Sequence, residues 1–372
     1  MAETQPFKNY YGVELAQDLA VRITAVYPDF PAGPFIEQVA AQVEPLELKA
    51  RVAVIAAALR ANLPAPYLEA LRLLLAILGP PNSDEEGMFT AGYHLMPVAY
   101  FVEVYGLDHF DESMAALYEI TQRHTAEYAI RPYLERYPQP ALTLLERWAG
   151  DQSAHVRRLV SEGTRPRLPW ARRLPAFMAD PDPVLRLLEQ LKNDPSAYVR
   201  KSVANNLNDI GKDHPELVLA TLTRWSQHSS DKTRWIIGHA LRNFVKQGHR
   251  QALALLGFEQ PQAVQLQRFK VDPVSLKIGD SLTLSFNLQN QAAVPQQLVI
   301  DYVIHLRKAN GQLNPKVFKL GVYQLDPGQT IEVQKKHSFR PVTTRRYYAG
   351  QQRVELQVNG QTLGGVDFNL EG

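Results

Sequence analysis

The strongest constraint on this chain is a pattern that recurs three times between residues 141 and 245. The stretches LLERWAGDQSAHVRRLVSEG, LLEQLKNDPSAYVRKSVANN and TLTRWSQHSSDKTRWIIGHA align when Trp148, Leu191 and Trp225 are placed in register, at spacings of 43 and 34 residues. Leu145, Leu188 and Leu222 then share a column, as do Arg157, Arg200 and Arg234, and Val160, Val203 and Ile237. Each copy reads as an apolar helix, a short polar turn and a second helix with an early arginine. One such pair cannot bury its apolar face alone, so the copies must stack into a curved array.

A two-helix repeat near 40 residues predicts a HEAT-like solenoid. Upstream, residues 14–27, 35–43, 47–63, 66–78, 96–106, 113–124 and 126–137 carry apolar residues at helical spacing. The last of these is expected to bend or restart at Pro132, and Gly79 to Ser83 form a loop. Residues 164–184, TRPRLPWARRLPAFMADPDPV, hold five prolines and four arginines and are predicted to form an ordered loop set into the array. From about residue 265 the period changes to two. Roughly seven or eight short strands, separated by turns such as Asp326-Pro327-Gly328 and Asn359-Gly360, predict an immunoglobulin-like β-sandwich. The fold class is therefore multidomain: an all-α HEAT-like repeat solenoid over 1–250, then an all-β immunoglobulin-like sandwich over 265–372. Residues 247–264 are expected to be the hinge.

The chain has no cysteine, so disulfides and thiolate metal sites are excluded, and the composition suits a cytoplasmic protein. No run is long enough to span a bilayer, and the opening Met-Ala-Glu-Thr-Gln-Pro lacks the layout of a secretory signal. The net charge of +2 hides an asymmetry. Residues 1–150 carry 10 Lys and Arg against 19 Asp and Glu, residues 151–250 carry 17 against 10, and residues 251–372 carry 13 against 9. A basic repeat array points to an anionic partner, with nucleic acid the first candidate; the alternative is that the repeat arginines pair with acids of the next repeat.

Catalytic signals of the common kinds are absent. There is no Gly-rich phosphate loop, no GxSxG, no Cys nucleophile and no histidine spacing suited to a metal. Carboxylates near the basic array remain. Glu162 aligns with Asn205 and His239 on the second helices, which are expected to line the groove, and Asp209 follows Asn205 by four residues on the same face. Glu127 precedes them and is placed to face the same groove. Trp170 in the Pro/Arg loop reads either as a packing anchor or as an aromatic face for a cation or sugar. Trp148 and Trp225 read as core. Arg157, Arg165, Arg167, Arg200 and Arg234 are expected to contact phosphates if DNA follows the groove, and Arg340, Arg345 and Arg346, beside Tyr347 and Tyr348, are a second candidate contact.

The stretch SAHVRRLVSEGTRPRLPWARRLPAF followed by SAYVRKSVANNLNDIGKDHP resembles the AlkC branch of the AlkC/AlkD HEAT-like-repeat DNA glycosylases, and the terminal sandwich resembles the subset with an immunoglobulin-like domain. The resemblance implies excision of cationic N-alkylated bases (3-methyladenine, 3-methylcytosine, 1-methyladenine) from double-stranded DNA, without base flipping, metal or other cofactor. It implies Glu127, Glu162, Trp170 and Asp209 as the active-site residues. A monomer, cytoplasmic and nucleoid-associated, is the expected form. A non-catalytic scaffold and a DNA-binding lesion sensor are the competing readings.

Overall fold

The computed structural model describes residues 6–85, 92–261, 263–342 and 345–372. The first five residues, on which the reading of the amino terminus rests, and Thr343 and Thr344 in the basic stretch of the sandwich lie outside the described residues. The chain divides into two compact units, Met1–Val218 with His228–Ala240, and Leu219–Gln227 with Leu241–Gly372.

The first unit is helical. It opens with α1 (Val13–Val26), α2 (Ala32–Val43), α3 (Leu48–Asn62), α4 (Tyr67–Ala76), α5 (Met96–Tyr105) and α6 (Phe110–Thr121). The segment expected to restart at Pro132 does so: α7 is Arg131–Arg136, with the proline in its first turn, where a missing N–H costs nothing. The repeats follow as α8 (Pro138–Trp148) with α9 (Ala154–Gly163), then, after a short α10 (Pro175–Ala179), α11 (Asp182–Leu191) with α12 (Ala197–Ile210); of the third copy, α13 (Pro215–Ser226) belongs from Leu219 on to the second unit and α14 (Asp231–Ala240) to the first. The second helices α9, α12 and α14 lie side by side. Their apolar stripes explain it: Val156, Leu159 and Val160 on α9, and Val199 and Val203 on α12, are fully buried or nearly so. Each such side chain contributes about 1.5–3 kcal/mol relative to exposure. Trp148 and Trp225 are buried, as expected of core positions.

The recurring arginine has a structural reason. Arg157 Nη1 donates to the carbonyls of Asp151 and Gln152 at 2.8 and 2.9 Å. Arg200 Nη1 donates to those of Asp194 and Pro195, both at 2.8 Å. Arg234 Nη1 reaches the Ser229 carbonyl at 2.6 Å. In each repeat the same arginine ties down the turn between the two helices, where carbonyls at a helix end have lost their helical donors. Asp151 and Asp194 brace the first two turns by accepting from the N–H groups of Ser153 and Ser196 at 2.7 and 2.8 Å.

The proline-rich segment 164–184 differs in part from the expected loop. Pro175 starts the one-turn α10, and Pro183 sits in the first turn of α11. Proline there begins helices rather than breaking them. The irregular parts are residues 164–174 and the two-residue link 180–181, and Arg131 holds the first shut. Its Nη1 donates to the carbonyls of Gly163 and Arg165, both at 2.9 Å, and its Nε and Nη2 to that of Arg172 at 3.1 and 2.5 Å.

In the second unit α15 (Arg242–Lys246) and α16 (Arg250–Leu255) precede eight strands: β1 (Val264–Asp272), β2 (Ser275–Lys277), β3 (Ser281–Asn290), β4 (Gln296–Arg307), β5 (Leu313–Leu325), β6 (Thr330–Ser338), β7 (Gly350–Val358) and β8 (Gln361–Glu371). The stretch expected as a hinge thus contains α16. The strands form a three-stranded sheet, β1-β3-β6, and a five-stranded sheet, β2-β8-β7-β4-β5. Among the described residues β2 and β8 pair in parallel and the other strand pairs are antiparallel. Alternation on β3 turns Leu282, Leu284, Phe286 and Leu288 inward against Ile300, Tyr302, Leu356 and Phe368. Asn359 and Gly360 both take positive φ and close the β7–β8 hairpin, as the Asn-Gly pair predicts. Gly360 cannot carry a side chain for a second reason: a Cβ there would lie 2.4 Å from the Cα of Gly248.

Candidate active site

Three of the four predicted site residues are joined by one run of alternating charges. Glu127, Glu162 and Asp209 are all buried. Glu127 lies in the turn before α7, Glu162 in the last turn of α9 and Asp209 in the last turn of α12, so the close packing of α9 and α12 brings the second and third together.

The run begins at Glu127, whose Oε2 accepts from Thr125 Oγ1 at 2.9 Å and from Arg158 Nη1 at 2.8 Å. Arg158 Nη2 also lies 3.6 Å from Glu162 Oε1. Arg165 Nη1 donates to that same oxygen at 2.7 Å, while Ser202 Oγ donates to Oε2 at 2.5 Å. Arg165 then turns its Nε and Nη2 to Asp209 Oδ2, both at 2.8 Å. Lys212 Nζ closes the run on Asp209 Oδ1 at 2.8 Å.

Buried charges survive only when paired and hydrogen-bonded, and each buried charge of this ladder has at least one hydrogen-bonded partner of opposite sign. Its effect on proton affinity is clear at Glu162. Burial alone would push its carboxyl up, but Arg158, Arg165 and the Ser202 hydroxyl hold it below the ordinary carboxylate value. Burial works against the charge of Arg158 as well, yet Glu127 and Glu162 hold its guanidinium above the usual arginine value. Its other face lies over the Tyr198 ring, 4.6 Å from the centroid. Glu162 is therefore a weak base that stays negative at neutral pH.

Trp170 is placed differently. It stands in the loop that Arg131 closes, 62 % exposed, with φ of 62°. That left-handed conformation costs a residue with a Cβ about 1–2 kcal/mol. Loop closure offsets it: Ala171 N donates to Leu168 O at 3.2 Å and Leu174 N to Pro166 O at 3.1 Å. The loop leaves α9 through Arg165, so the indole is carried on a segment whose stem is part of the ladder.

The five arginines of the helical part expected on phosphates, Arg157, Arg165, Arg167, Arg200 and Arg234, all make contacts within the protein. Arg157 pairs with buried Asp194 of the next repeat, Nε to Oδ2 at 2.6 Å, besides tying its turn. Arg200 and Arg234 serve their own turns, and Arg234 also pairs with Asp231. Arg165 is buried between two carboxylates. Arg157 and Arg165 thus reach carboxylates of the next repeat, the pairing the sequence left open as the alternative, whereas Arg200 and Arg234 bond within their own repeats. Arg167 forms a two-pronged pair with Asp213, at 2.9 and 2.6 Å, closer to the surface. In the sandwich Arg345 lies over the rings of Phe318 and Tyr347, 5.4 and 5.8 Å from their centroids, whereas Arg340 and Arg346 are exposed.

Sequence reasoning missed Arg158, Ser202 and Arg131. The first was within reach: it stands four residues before Glu162, the spacing at which helix neighbours pair.

A model of the DNA alkylation repair enzymes matches residues 120–244, and one of the C-terminal immunoglobulin-like domain of YhaZ matches residues 265–372. The uncharacterised protein YhaZ of Bacillus subtilis (strain 168) is 38% identical over 364 residues, which span 98% of this chain and 99% of that one. The solved structure of Pseudomonas fluorescens alkylpurine DNA glycosylase AlkC, bound to DNA containing an abasic site analogue, matches 99% of this chain and 100% of its own at 39% identity, with a TM-score of 0.93. The chain belongs to the AlkC branch of the DNA alkylation repair enzymes. Within that branch it is of the kind with a carboxy-terminal immunoglobulin-like domain. Among its described residues no helix is long and apolar enough to cross a membrane.

Proposed function

We propose that this protein is a monofunctional DNA glycosylase that removes cationic N-alkylated bases, among them 3-methyladenine, 3-methylcytosine and 1-methyladenine, from double-stranded DNA. The observation that carries this reading is the ladder, in which the buried carboxylates of Glu162 and Asp209 are held on one shared arginine. Its match to an alkylpurine DNA glycosylase over the full chain supports it.

Alkylation at a ring nitrogen makes the base positive. When the C1′–N bond breaks, its electron pair passes to the base, which leaves neutral without needing a general acid. The deoxyribose becomes an oxocarbenium-like cation, and water adds to C1′ and loses a proton. A protein speeds this by presenting fixed negative charge where the sugar becomes positive, and by holding the water. Glu162 suits the electrostatic part: its lowered proton affinity keeps it anionic but makes it a poor base. Attack on so reactive a cation needs an oriented water more than a deprotonated one. Asp209, steadied by Arg165 and Lys212, and Glu127, steadied by Arg158, complete the negative set. The exposed Trp170 supplies a face for the cationic sugar. The carboxylates act on sugar, so base flipping, a metal and an organic cofactor are not required. A monomer suffices.

Release of free base from duplex DNA carrying 3-methyladenine tests the proposal. The wild-type protein should release it, and Glu162→Gln, close to isosteric, should slow release about 10²–10³-fold. Wild-type protein that binds such DNA and releases nothing would be a lesion sensor.

A further inference from the structure

Away from the ladder, the first unit contains a recess between the start of α3, the exposed side of α5 and the turn before α7. Lys49, Tyr100, Glu103, Thr125 and Tyr128 line it over Ala99, and it holds about 450 Å³ of unfilled space counted out to its mouth. The Lys49 ammonium lies over the Tyr128 ring, 4.7 Å from its centroid. Among the described residues neither the Lys49 nitrogen nor the Glu103 carboxylate enters a hydrogen bond or an ion pair.

Burial pushes the Glu103 carboxyl up, against the opposing pull of Lys49, Arg131 and Arg172. Burial likewise pushes Lys49 down, against Glu103. The half-buried Glu103 has lost part of its water without gaining a partner, and a ligand that supplies a donor recovers that cost, while the exposed Lys49 stands at the rim. The lining thus asks for one donor, one acceptor and a flat apolar body. Lys49 and Glu103 nearly cancel in charge, which favours a ligand without phosphate.

The recess also adjoins the ladder. Thr125, part of its wall, donates to the Glu127 carboxylate at 2.9 Å and lies 3.2 Å from Arg158 Nη1. We propose that the recess binds the free N-methylated purine after cleavage, its amino group donating to Glu103, its ring nitrogen accepting from Lys49 and its plane against Tyr100 and Tyr128. The identity of the ligand rests on the glycosylase reading; the recess holds the base once it is free of its sugar.

The test is a titration of the full-length protein with free 3-methyladenine in the absence of DNA, followed by calorimetry and by saturation-transfer NMR. Wild-type protein should bind saturably. Glu103→Gln and Tyr100→Leu should each weaken binding about tenfold or more, with excision from DNA at low product concentration unchanged and the free base a weaker inhibitor. Absence of saturable binding to the wild type, or wild-type affinity in both variants, overturns the proposal. Binding is measured without DNA, so its failure is separate from failure of the glycosylase reading, which the excision assay alone judges.

Discussion

Glu162 and Asp209, on different repeats, share one guanidinium, that of Arg165. Two buried carboxylates held by a single planar fork form a unit, and removing the fork strands both. Arg165→Ala should therefore destabilise the helical unit by about 3–5 kcal/mol in urea unfolding at neutral pH. Arg165→Lys, which keeps the charge but cannot span both acids, should fall between. The loss should shrink in acid, because Glu162 has a folded-state pKa below the unfolded value. Such a group stabilises the fold above the unfolded value, and that contribution disappears as pH falls through the folded one. Equal urea midpoints for wild type and Arg165→Ala would show that the acids are not coupled.

Trp170 combines exposure with a left-handed backbone, a pairing that neither packing nor loop chemistry favours. Glycine adopts that φ without penalty. Trp170→Gly should hold or raise thermal stability, by up to about 1 kcal/mol, while excision falls about tenfold through loss of the aromatic face. A variant that loses stability and keeps its rate would make the indole a packing anchor.

The helices, the repeat register and the sandwich were legible because burial imposes periods of 3.6 and 2 on the sequence. Register also singled out Glu162 and Asp209. Partner choice was not legible. Arg157 and Arg158 are adjacent in the same helix, yet one ties a turn and pairs with Asp194 while the other spans Glu127 and Glu162. A helix advances about 100° per residue, so neighbours point to different surroundings, and net charge along the chain cannot tell them apart. In QLVIDYVIHLR both faces of the strand are apolar, and Val299, Asp301 and Val303 are as buried as Ile300, Tyr302 and Ile304. A strand apolar on both faces is covered on both. The contact of α15 with β5 shows that helix grouped with the sandwich, not with the repeats.

Asp301 is the exception on that strand. Burial raises its carboxyl from 3.8 to about 6, against the pull of Lys319 and Lys246. An acid whose folded pKa lies above its unfolded value binds its proton more tightly in the fold. It destabilises the protein once the unfolded chain ionises, increasingly up to about pH 6 and constantly above it. Asp301→Asn should thus stabilise the second unit at about pH 7.5 by roughly 1–2 kcal/mol, allowing for partial solvent access, and give no gain at about pH 4. Unfolding midpoints at the two pH values decide it; a gain of the same size at both would place the cause outside titration.

The sandwich arginines divide by environment. Arg345 donates to Tyr347 Oη at 3.1 Å and lies over two rings, so its contribution is to packing. Arg340 and Arg346 remain exposed, Arg346 beside Tyr348 at 5.5 Å. If they meet phosphates, each releases about one counterion, and the double variant Arg340→Ala with Arg346→Ala should lower the slope of log affinity against log salt by about 2. The loss should be the same for intact and alkylated duplex, since phosphate contacts carry no lesion information. Arg345→Ala should lower the unfolding midpoint of the second unit and leave that slope as it was. A slope unchanged in the double variant would remove the sandwich from the DNA interface, and DNA affinity would then have to come from the repeat unit, where Arg167, Arg172 and Arg173 stand on the loop that presents Trp170.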